Sequence, residues 1–452
     1  MKKKILLGIV ALALVVGVAV YATTRPEPPD TRFTGAYALA DGTLVFVTPR
    51  EGKVLRYRQM NGESAVLWPT AAGEYEGGAG WDQREPVINH VKFESADAKR
   101  GFDWRRADDK VLHARRIDLP ERTTMFPSGD LQLRGKLVLP EASTSGAGPY
   151  PAVVIVHGSE AYSAVDHYYE PYMYAANGFA ALAFDKRGTG ESQGKYLQNF
   201  HVLSDDVVAA VRWLRAQPGI DGNRIHLAGF SQGGWIAPLA ALKDGNIRSI
   251  LVGYGVMVPV TGEDRWGYYY ALQQKGFGND AVAAADRVNA VIEDIFDRHQ
   301  NRWSELGSML DAARSQPWVE GVRGSDSMLG VVTDSKVPLW ALRIYLWWRT
   351  RAQGDTPYID RLYDPVQTMH KLPTPSLWLL GGEDSSAPTP WTLRELQKLQ
   401  AEGRPVQVRV FPDADHGIIK FVQQDDGERR YTGLEPDYYP AQIAWLREHS
   451  GS

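Results

Sequence analysis

The segment Gly229-Phe230-Ser231-Gln232-Gly233 follows the apolar run Ile225 to Ala228 and precedes a helix-like stretch from Trp235 to Leu242. A serine hydroxyl is a weak nucleophile at neutral pH and needs a base beside it and exposure on a sharp turn. A strand-to-helix elbow supplies the exposure, because glycines on both flanks let backbone and helix crowd together without Cβ clashes. The helix start behind Ser231 adds partial positive charge where an oxyanion would form. The chemistry this permits is acyl transfer, with Ser231 Oγ attacking a carbonyl carbon. Taken alone, the same pattern also fits a loop with two glycines and an ordinary serine, so the weight falls on what accompanies it.

Four further motifs accompany it in a fixed order. Val156-His157-Gly158-Ser159 ends one predicted strand, and Asp185-Lys186-Arg187-Gly188-Thr189-Gly190-Glu191-Ser192 ends the next. After the elbow come Leu380-Gly381-Gly382-Glu383-Asp384 and Asp413-Ala414-Asp415-His416-Gly417. In this order the chain resembles the α/β-hydrolase superfamily. The His-Gly-Ser and Asp-Lys-Arg-Gly-Thr-Gly-x-Ser segments are similar to those of exported bacterial esterases and dienelactone-hydrolase-like members. The resemblance covers about Thr123 to Ser450, less an insertion, and the order Ser231, Asp384, His416 matches that of the fold.

The resemblance and the chemistry together assign roles. Ser231 is the expected nucleophile, His416 the base that takes its proton and returns it to the leaving group, and Asp384 the carboxylate that holds the imidazole tautomer. The backbone N–H of Gln232 is one expected oxyanion donor; the resemblance adds the N–H of Ser159 as the second. Glu383 is the rival to Asp384, and family position favours Asp384. Asp413 and Asp415 read as turn formers. His157 reads as a support for the oxyanion loop, Asp185 and Arg187 as a buried pair with each other, and Glu160 as a solvated carboxylate where close relatives would carry glycine. The glycines at 188, 190 and 194 miss the dinucleotide-binding spacing by one residue, and Tyr196 stands where a phosphate-binding loop needs Ser or Thr. With no His-Glu-x-x-His pattern and scattered histidines, neither a metal nor an organic cofactor is expected.

The elements that must position these residues are an alternation of strands and helices. Strands are expected at Leu131 to Leu139, Ala152 to Val156, Ala180 to Phe184, Ile225 to Ala228, Ile250 to Gly253, Ser376 to Leu380 and Val406 to Phe411. Helices are expected at Tyr168 to Ala176 and, capped by Ser204, through Val207, Val208, Val211 and Leu214. Such alternation predicts an α/β fold, a mostly parallel sheet with helices on both faces. It breaks over residues 256–371, a helix-like stretch rich in Trp and Tyr that reads as a cap. Its aromatics are expected mainly in packing, with a minority lining an apolar substrate pocket. Residues 121–255 and 372–452 are then the two parts of the core. Residues 31–120 read as a β-rich accessory domain, with Asn61-Gly62 as a hairpin turn and strands at Thr43 to Thr48, Val54 to Arg58, Ala65 to Trp68, Val87 to Phe93 and Val111 to Arg116.

Lys2, Lys3 and Lys4 precede an uncharged apolar run, Ile5 to Ala22, ending in Val20-Tyr21-Ala22. Residues 1–22 therefore read either as a signal peptide cleaved after Ala22 or as an uncleaved anchor, with residues 23–30 as a proline-rich linker. Either way the remainder is expected to be exported. The net charge of −4 and the absence of a basic stripe argue against nucleic-acid binding. With no cysteine, disulfides, thiolate metal sites and a cysteine nucleophile are excluded. The function these features favour is an exported serine hydrolase of carboxylic esters. Its expected partner is a small-molecule ester with an apolar part. A prolyl-oligopeptidase-type peptidase, an acyltransferase and a non-catalytic envelope binding protein stand as alternatives. About 90 N-terminal residues are too few for a β-propeller.

Overall fold

The computed structural model describes residues 28–94, 100–334, 338–344, 347 and 358–451. The expected signal or anchor segment lies outside these residues. Among the described residues no helix is long and apolar enough to cross a membrane.

The chain divides into two units, one running to Tyr57 and resuming over Ala65–Arg116, the other comprising Arg58–Ser64 and Ile117–Ser452. The first is a closed antiparallel barrel of eight strands: β1 Gly35–Leu39, β2 Leu44–Glu51, β3 Val54–Gln59, β4 Ser64–Ala71, β5 Glu74–Gly77, β6 Asn89–Phe93, β7 Gly101–Arg106 and β8 Val111–Arg116. Pairing of Tyr37 with Arg116 closes it, β1 against β8, and closure removes the exposed edges that a small sheet would present. Alternate residues point inward, and Phe33, Tyr37, Tyr57, Tyr75, Phe93, Phe102 and Trp104 fill the interior. Phe33 stacks on Phe93 at 4.0 Å between ring centroids. The buried indole of Trp104 donates to Asn89 Oδ1 (3.0 Å), whose amide in turn donates to the Gly78 carbonyl (2.9 Å), so these two polar side chains are partnered inside the barrel.

The second unit carries a sheet of eight strands in the order β16-β15-β14-β13-β11-β12-β10-β9. These are β9 Glu121–Ser128, β10 Leu131–Val138, β11 Tyr150–Val156, β12 Ala180–Phe184, β13 Ile220–Phe230, β14 Ser249–Gly253, β15 Ser376–Gly381 and β16 Val406–Phe411. The six strands from β12 to β16 through β11 are parallel, and β10 and β9 add antiparallel at one edge. Central strands such as Ala180–Phe184 and Ser249–Gly253 are buried throughout, which is why their sequence is a continuous apolar run and not an alternation. The helices Phe200–Arg215 and Gly233–Asp244 pack on this sheet; the first is capped by Asn199, whose Oδ1 accepts from Val202 N (3.1 Å), and not by Ser204, which is buried one turn inside. A three-stranded sheet, β17 Ala414–Asp415, β18 Ile419–Gln423 and β19 Arg429–Leu434, follows β16.

Between β14 and β15 the helices Val260–Gln274, Asn279–Phe296, Trp303–Ala313, Pro317–Val322 and Met328–Asp334 build a separate apolar core from Tyr268, Leu272, Val288, Ile292, Leu306, Trp318 and Leu329. The next helix, Pro365–Lys371, falls within the stretch read as cap, yet Met369 and Leu372 belong to the core of the main sheet. Trp340 and Trp347 are exposed, and Trp348 lies outside the described residues.

Candidate active site

Strand β13 ends at Phe230, and the chain reverses into the helix Gly233–Asp244 through Ser231. Ser231 has φ +50°, a conformation that costs a non-glycine residue about 1 kcal/mol or more. The turn is held because Ser231 N donates to the Gly253 carbonyl (3.0 Å) and Gly234 N to the Ser231 carbonyl (2.8 Å). A Cβ on Gly229 would lie 2.4 Å from the Gly233 carbonyl oxygen, and one on Gly233 would lie 2.3 Å from that of Val156. Both glycines are therefore required by close backbone approach.

His416 follows β17 on a turn whose next residue, Gly417, has φ +76°. Its Nε2 lies 3.2 Å from Ser231 Oγ, and its Nδ1 lies 3.0 Å from Asp384 Oδ2. Asp384, on the loop after β15, is buried, and its Oδ1 also accepts from the N–H groups of Ser386 (2.9 Å) and Ala387 (2.6 Å). The tautomer with the proton on Nδ1 lets the ring donate to Asp384 and leaves Nε2 to accept from the serine hydroxyl. Burial alone would lower the His416 pKa, but the Asp384 carboxylate, with Glu263 and Asp415, holds it above the ordinary value. The Tyr254 ring packs edge-on to the imidazole at 4.8 Å between centroids and limits its rotation. Glu383, the sequence rival, is 56% exposed and faces Arg429 at 3.7 Å.

The loop after β11 lies against the elbow, since a Cβ on Gly158 would sit 3.4 Å from that of Ser231. Its peptide planes are pinned. The Gly158 carbonyl accepts from the buried Lys186 ammonium at 2.5 Å, and the Ser159 carbonyl accepts from Tyr196 Oη. Gln198 Nε2 donates to the same tyrosine oxygen (2.9 Å). Because the carbonyl and the following N–H of a trans peptide point opposite ways, the bond from Lys186 fixes the direction of the Ser159 N–H. Ser159 and Gln232 both line the cavity described below. Burial pushes the Lys186 pKa down to about 8, with the Glu160 carboxylate pulling the other way. His157 is buried, with its pKa driven down by burial and by the Lys186 charge, and approaches the Gly158 carbonyl at 3.4 Å.

Four readings made from sequence are corrected. Asp185 and Arg187 do not pair, because the chain turns as it leaves β12 and their side chains diverge. Asp185 accepts from Ser163 Oγ (2.8 Å) and Val165 N (3.0 Å), while Arg187 makes a two-point contact with Asp206 (2.8 and 2.7 Å). Glu160 is not freely solvated; Tyr168 Oη donates to it. Asp415 is a buried acceptor for the N–H groups of Ser385 (2.8 Å) and His416 (2.7 Å), for Tyr431 Oη (2.7 Å) and for Arg429 (2.7 Å), whereas Asp413 is exposed. Burial opposes ionisation of Asp415, but these donors hold its pKa below the usual range. The fourth correction concerns the cavity wall.

Ser231 and His416 open into a cavity of about 400 Å³. Its described wall is polar: Ser159, Gln198, Gln232, Ser385 and Ser386 from the core, and Glu263, Asp264, Asp326 and Arg361 from the insertion. The only Trp, Tyr or Phe among these lining residues is Trp235, from the core helix. None of the insertion's described aromatics lines the cavity; Trp266, for example, packs against Tyr269 and Trp391 at 5.5 and 5.4 Å. Sequence reasoning passed over the acidic wall because Glu263 stands in the first turn of a helix, where acidic residues are ordinary, with Asp264 next to it. It passed over Lys186 because nothing in a sequence marks a buried lysine. On the barrel, the exposed Glu94, Asp103 and His113 bring ligand-type atoms within 4.8 Å of one another, but they are already linked as ion pairs of 3.1 and 3.2 Å.

A profile described as the alpha/beta hydrolase family matches residues 153–431. The thiohydrolase aneE of Aspergillus aculeatus is 37% identical over 123 residues, 27% of this chain and 37% of that protein. An uncharacterised 31.7 kDa protein of the traX-finO intergenic region of Escherichia coli is 24% identical over 215 residues, 47% of this chain and 64% of that one. The chain thus spans less than two thirds of either relative. Among solved structures, the alpha/beta hydrolase GrgF from Penicillium aligns with 74% of this chain and all of its own, at 18% identity and a TM-score of 0.43. The acylaminoacyl peptidase of Pyrococcus horikoshii aligns with 87% of this chain and 54% of its own, at 16% identity and a TM-score of 0.43.

Proposed function

The chain belongs to the alpha/beta hydrolase family, and from that premise we propose that it is a serine hydrolase cleaving carboxylic esters through an acyl-enzyme. The single observation that carries the reading is the continuous chain of contacts from Ser231 Oγ to His416 Nε2 (3.2 Å) and from His416 Nδ1 to Asp384 (3.0 Å). In this reading His416 takes the hydroxyl proton as Ser231 Oγ attacks the acyl carbon, and the tetrahedral oxyanion is met by the N–H groups of Gln232 and Ser159. Collapse breaks the bond to the leaving alcohol, which receives the proton from His416. Water, activated by the same histidine, then releases the acid. The strained φ of Ser231 keeps Oγ aimed at the cavity, and each oxyanion donor contributes about 3 kcal/mol in the transition state.

The leaving atom is the open point. The relative named a thiohydrolase favours a thioester as the second reading, because the same acyl-enzyme chemistry expels a thiol as readily as an alcohol. A fluorophosphonate probe with mass-spectrometric location of the adduct tests the nucleophile, and a substrate panel tests the leaving group: p-nitrophenyl esters of rising chain length, the matching thioesters and a prolyl amide. Adduct on Ser231 with ester turnover is expected. Turnover of the amide alone would move the assignment to a peptidase, and an unlabelled Ser231 would remove the acyl-enzyme.

The N-terminal lysines and apolar run support export of this enzyme. Mass spectrometry of the protein recovered from its cells is expected to find residues 1–22 either removed or retained in the membrane fraction.

A further inference from the structure

The cavity above Ser231 has an electrostatic character that ester hydrolysis alone does not call for. Among the described residues three carboxylates line it, those of Glu263, Asp264 and Asp326, against a single arginine, Arg361. That arginine is already engaged. Its Nε lies 2.8 Å from Asp297 Oδ1, a carboxylate outside the lining, and its Nη2 lies 3.6 Å from Asp264 Oδ2. The Asp264 side chain is only 9% exposed and its Oδ2 has no hydrogen-bond partner among the described residues; Oδ1 is taken by Met328 N at 2.8 Å. A buried carboxylate oxygen left without a donor costs free energy unless something supplies one. Glu263 lines the same cavity. No lysine or arginine pairs with it among the described residues, and the positive charge that favours its ionised form is that of His416.

The wall is built to keep these groups together. Glu263, Asp264 and Gly267 follow one another along the first two turns of the helix Val260–Gln274, and Asp326 stands on the segment that crosses that helix at Gly267. A Cβ on Gly267 would lie 2.1 Å from the Asp326 carbonyl oxygen, so the crossing is possible only at a glycine. The acidic groups thus face the reacting pair from one side, while the core side of the cavity offers uncharged donors and acceptors: Gln198, Ser385 and Ser386.

We propose that this cavity selects substrates whose non-reacting end carries a positive charge, an amine or quaternary ammonium seated between Glu263 and Asp326 while the acyl carbon meets Ser231. The inference rests on the serine-hydrolase reading for which atom reacts, but not for where the cation sits. A cation there meets Glu263 and Asp326, with which no lysine or arginine pairs among the described residues, in a recess where a charge pair is stronger than on an open surface. Burial, with the charges of Asp326, Asp384 and Asp264, pushes the Glu263 pKa up to about 7 against the pull of His416. A cation seated beside Glu263 favours its ionised form.

The test measures binding with the reaction switched off. Calorimetry on Ser231→Ala compares choline with its uncharged isostere 3,3-dimethylbutan-1-ol at pH 8, where Glu263 is largely ionised. Choline is expected to bind about tenfold tighter or better. Glu263→Gln in that background should remove most of the difference, and Asp326→Asn, at an exposed position that does not threaten folding, should remove part of it. Equal binding of the two compounds would overturn the proposal, as would a preference that survives both substitutions. Fluorophosphonate labelling of the unmodified protein reports separately on the nucleophile. A cation preference without labelling would sink the hydrolase mechanism and leave the cation site standing; labelling without the preference would do the reverse.

Discussion

Strand β13 carries a buried histidine within it and places a second, partly exposed one beside its C-terminal end, and the two are treated in opposite ways. His226, within the strand, is surrounded by hydroxyls: Ser249 Oγ lies 2.8 Å from Nδ1 and Ser450 Oγ lies 2.9 Å from Nε2. Burial pushes its pKa down to about 3, with the nearby His449, Arg248 and Arg224 charges adding to the effect. His416, beside Ser231 beyond the end of the strand, is less enclosed, its side chain 30% exposed, and faces Asp384, Glu263 and Asp415; its pKa is raised. Burial by itself makes a histidine an inert neutral spacer. A carboxylate against Nδ1 turns the same side chain into a group that can accept a proton near neutrality and keep it while a bond breaks. The interior of the strand is built for packing, its C-terminal end for charge movement.

Substitutions at the reacting end should give the largest effects. Ser231→Ala and His416→Ala are each expected to lower kcat by about 10⁶, and the double variant by little more, because the two act as a unit. Asp384→Asn, which keeps the shape but reverses the hydrogen bond, should cost about 10⁴ in kcat. Single-turnover acylation measures all three. Additive losses in the double variant would mean that Ser231 and His416 do not share one step.

One layer out, Lys186 touches neither the serine nor the histidine. Lys186→Met removes the donor that fixes the Gly158–Ser159 peptide and is expected to lower kcat by about 10², the size of one lost oxyanion donor, with KM little changed. A merely structural lysine would instead lower the unfolding midpoint and leave kcat per folded molecule intact. Thermal unfolding beside the kinetics separates the two.

The pH profile carries the comparison into solution. His416 must be neutral to accept the serine proton, so activity rises as it loses its own. With its pKa raised, the acid limb of kcat/KM should lie above 6.5. Glu263→Gln removes one of the three carboxylates that face the imidazole, so the limb should move to lower pH, by less than Asp384→Asn would move it. A limb that stays in place would mean that Glu263 and His416 are not electrostatically coupled.

How much of this could be read from residues alone follows the same divide. Ser231, Asp384 and His416 were legible because glycine spacing, strand ends and chain order constrain them jointly, and the elbow requires Gly229 and Gly233 whatever surrounds it. The central strands were legible as unbroken apolar runs. The edge strand β9 was not, because Glu121–Ser128 is polar and half exposed. Nor was closure of the barrel, since β5 and β7 are short segments, Glu74–Gly77 and Gly101–Arg106, with charged residues facing out and too few inward positions to set a period. The acidic wall escaped because Glu263 and Asp326 lie far apart in the chain and meet only where Gly267 lets two segments cross. The insertion's aromatics were expected mainly in packing, and Tyr268 and Trp318 do hold its helices together; the expected minority lining the cavity is not found among the described residues.

The smallest effect on activity, and the sharpest contrast, is expected at His226. His226→Ala should leave kcat and KM unchanged while lowering stability by about 1–3 kcal/mol, since the Ser249 and Ser450 hydroxyls lose their partner in a dry site. The pH dependence of stability gives the sign. A histidine whose pKa is depressed in the folded state binds fewer protons there than in the unfolded chain, so its contribution falls as pH drops from about 6.5 toward 3. His416, with a raised pKa, does the opposite: its contribution is present below 6.5 and is lost as pH rises through the folded value. Urea unfolding at pH 5 and pH 7 should therefore give a flatter acid dependence for His226→Ala than for the unmodified protein, and a steeper one for His416→Ala. If both variants shifted the same way, the two histidines would not differ in the manner their hydrogen-bond partners dictate, and the pKa of His416 would not be raised by Asp384.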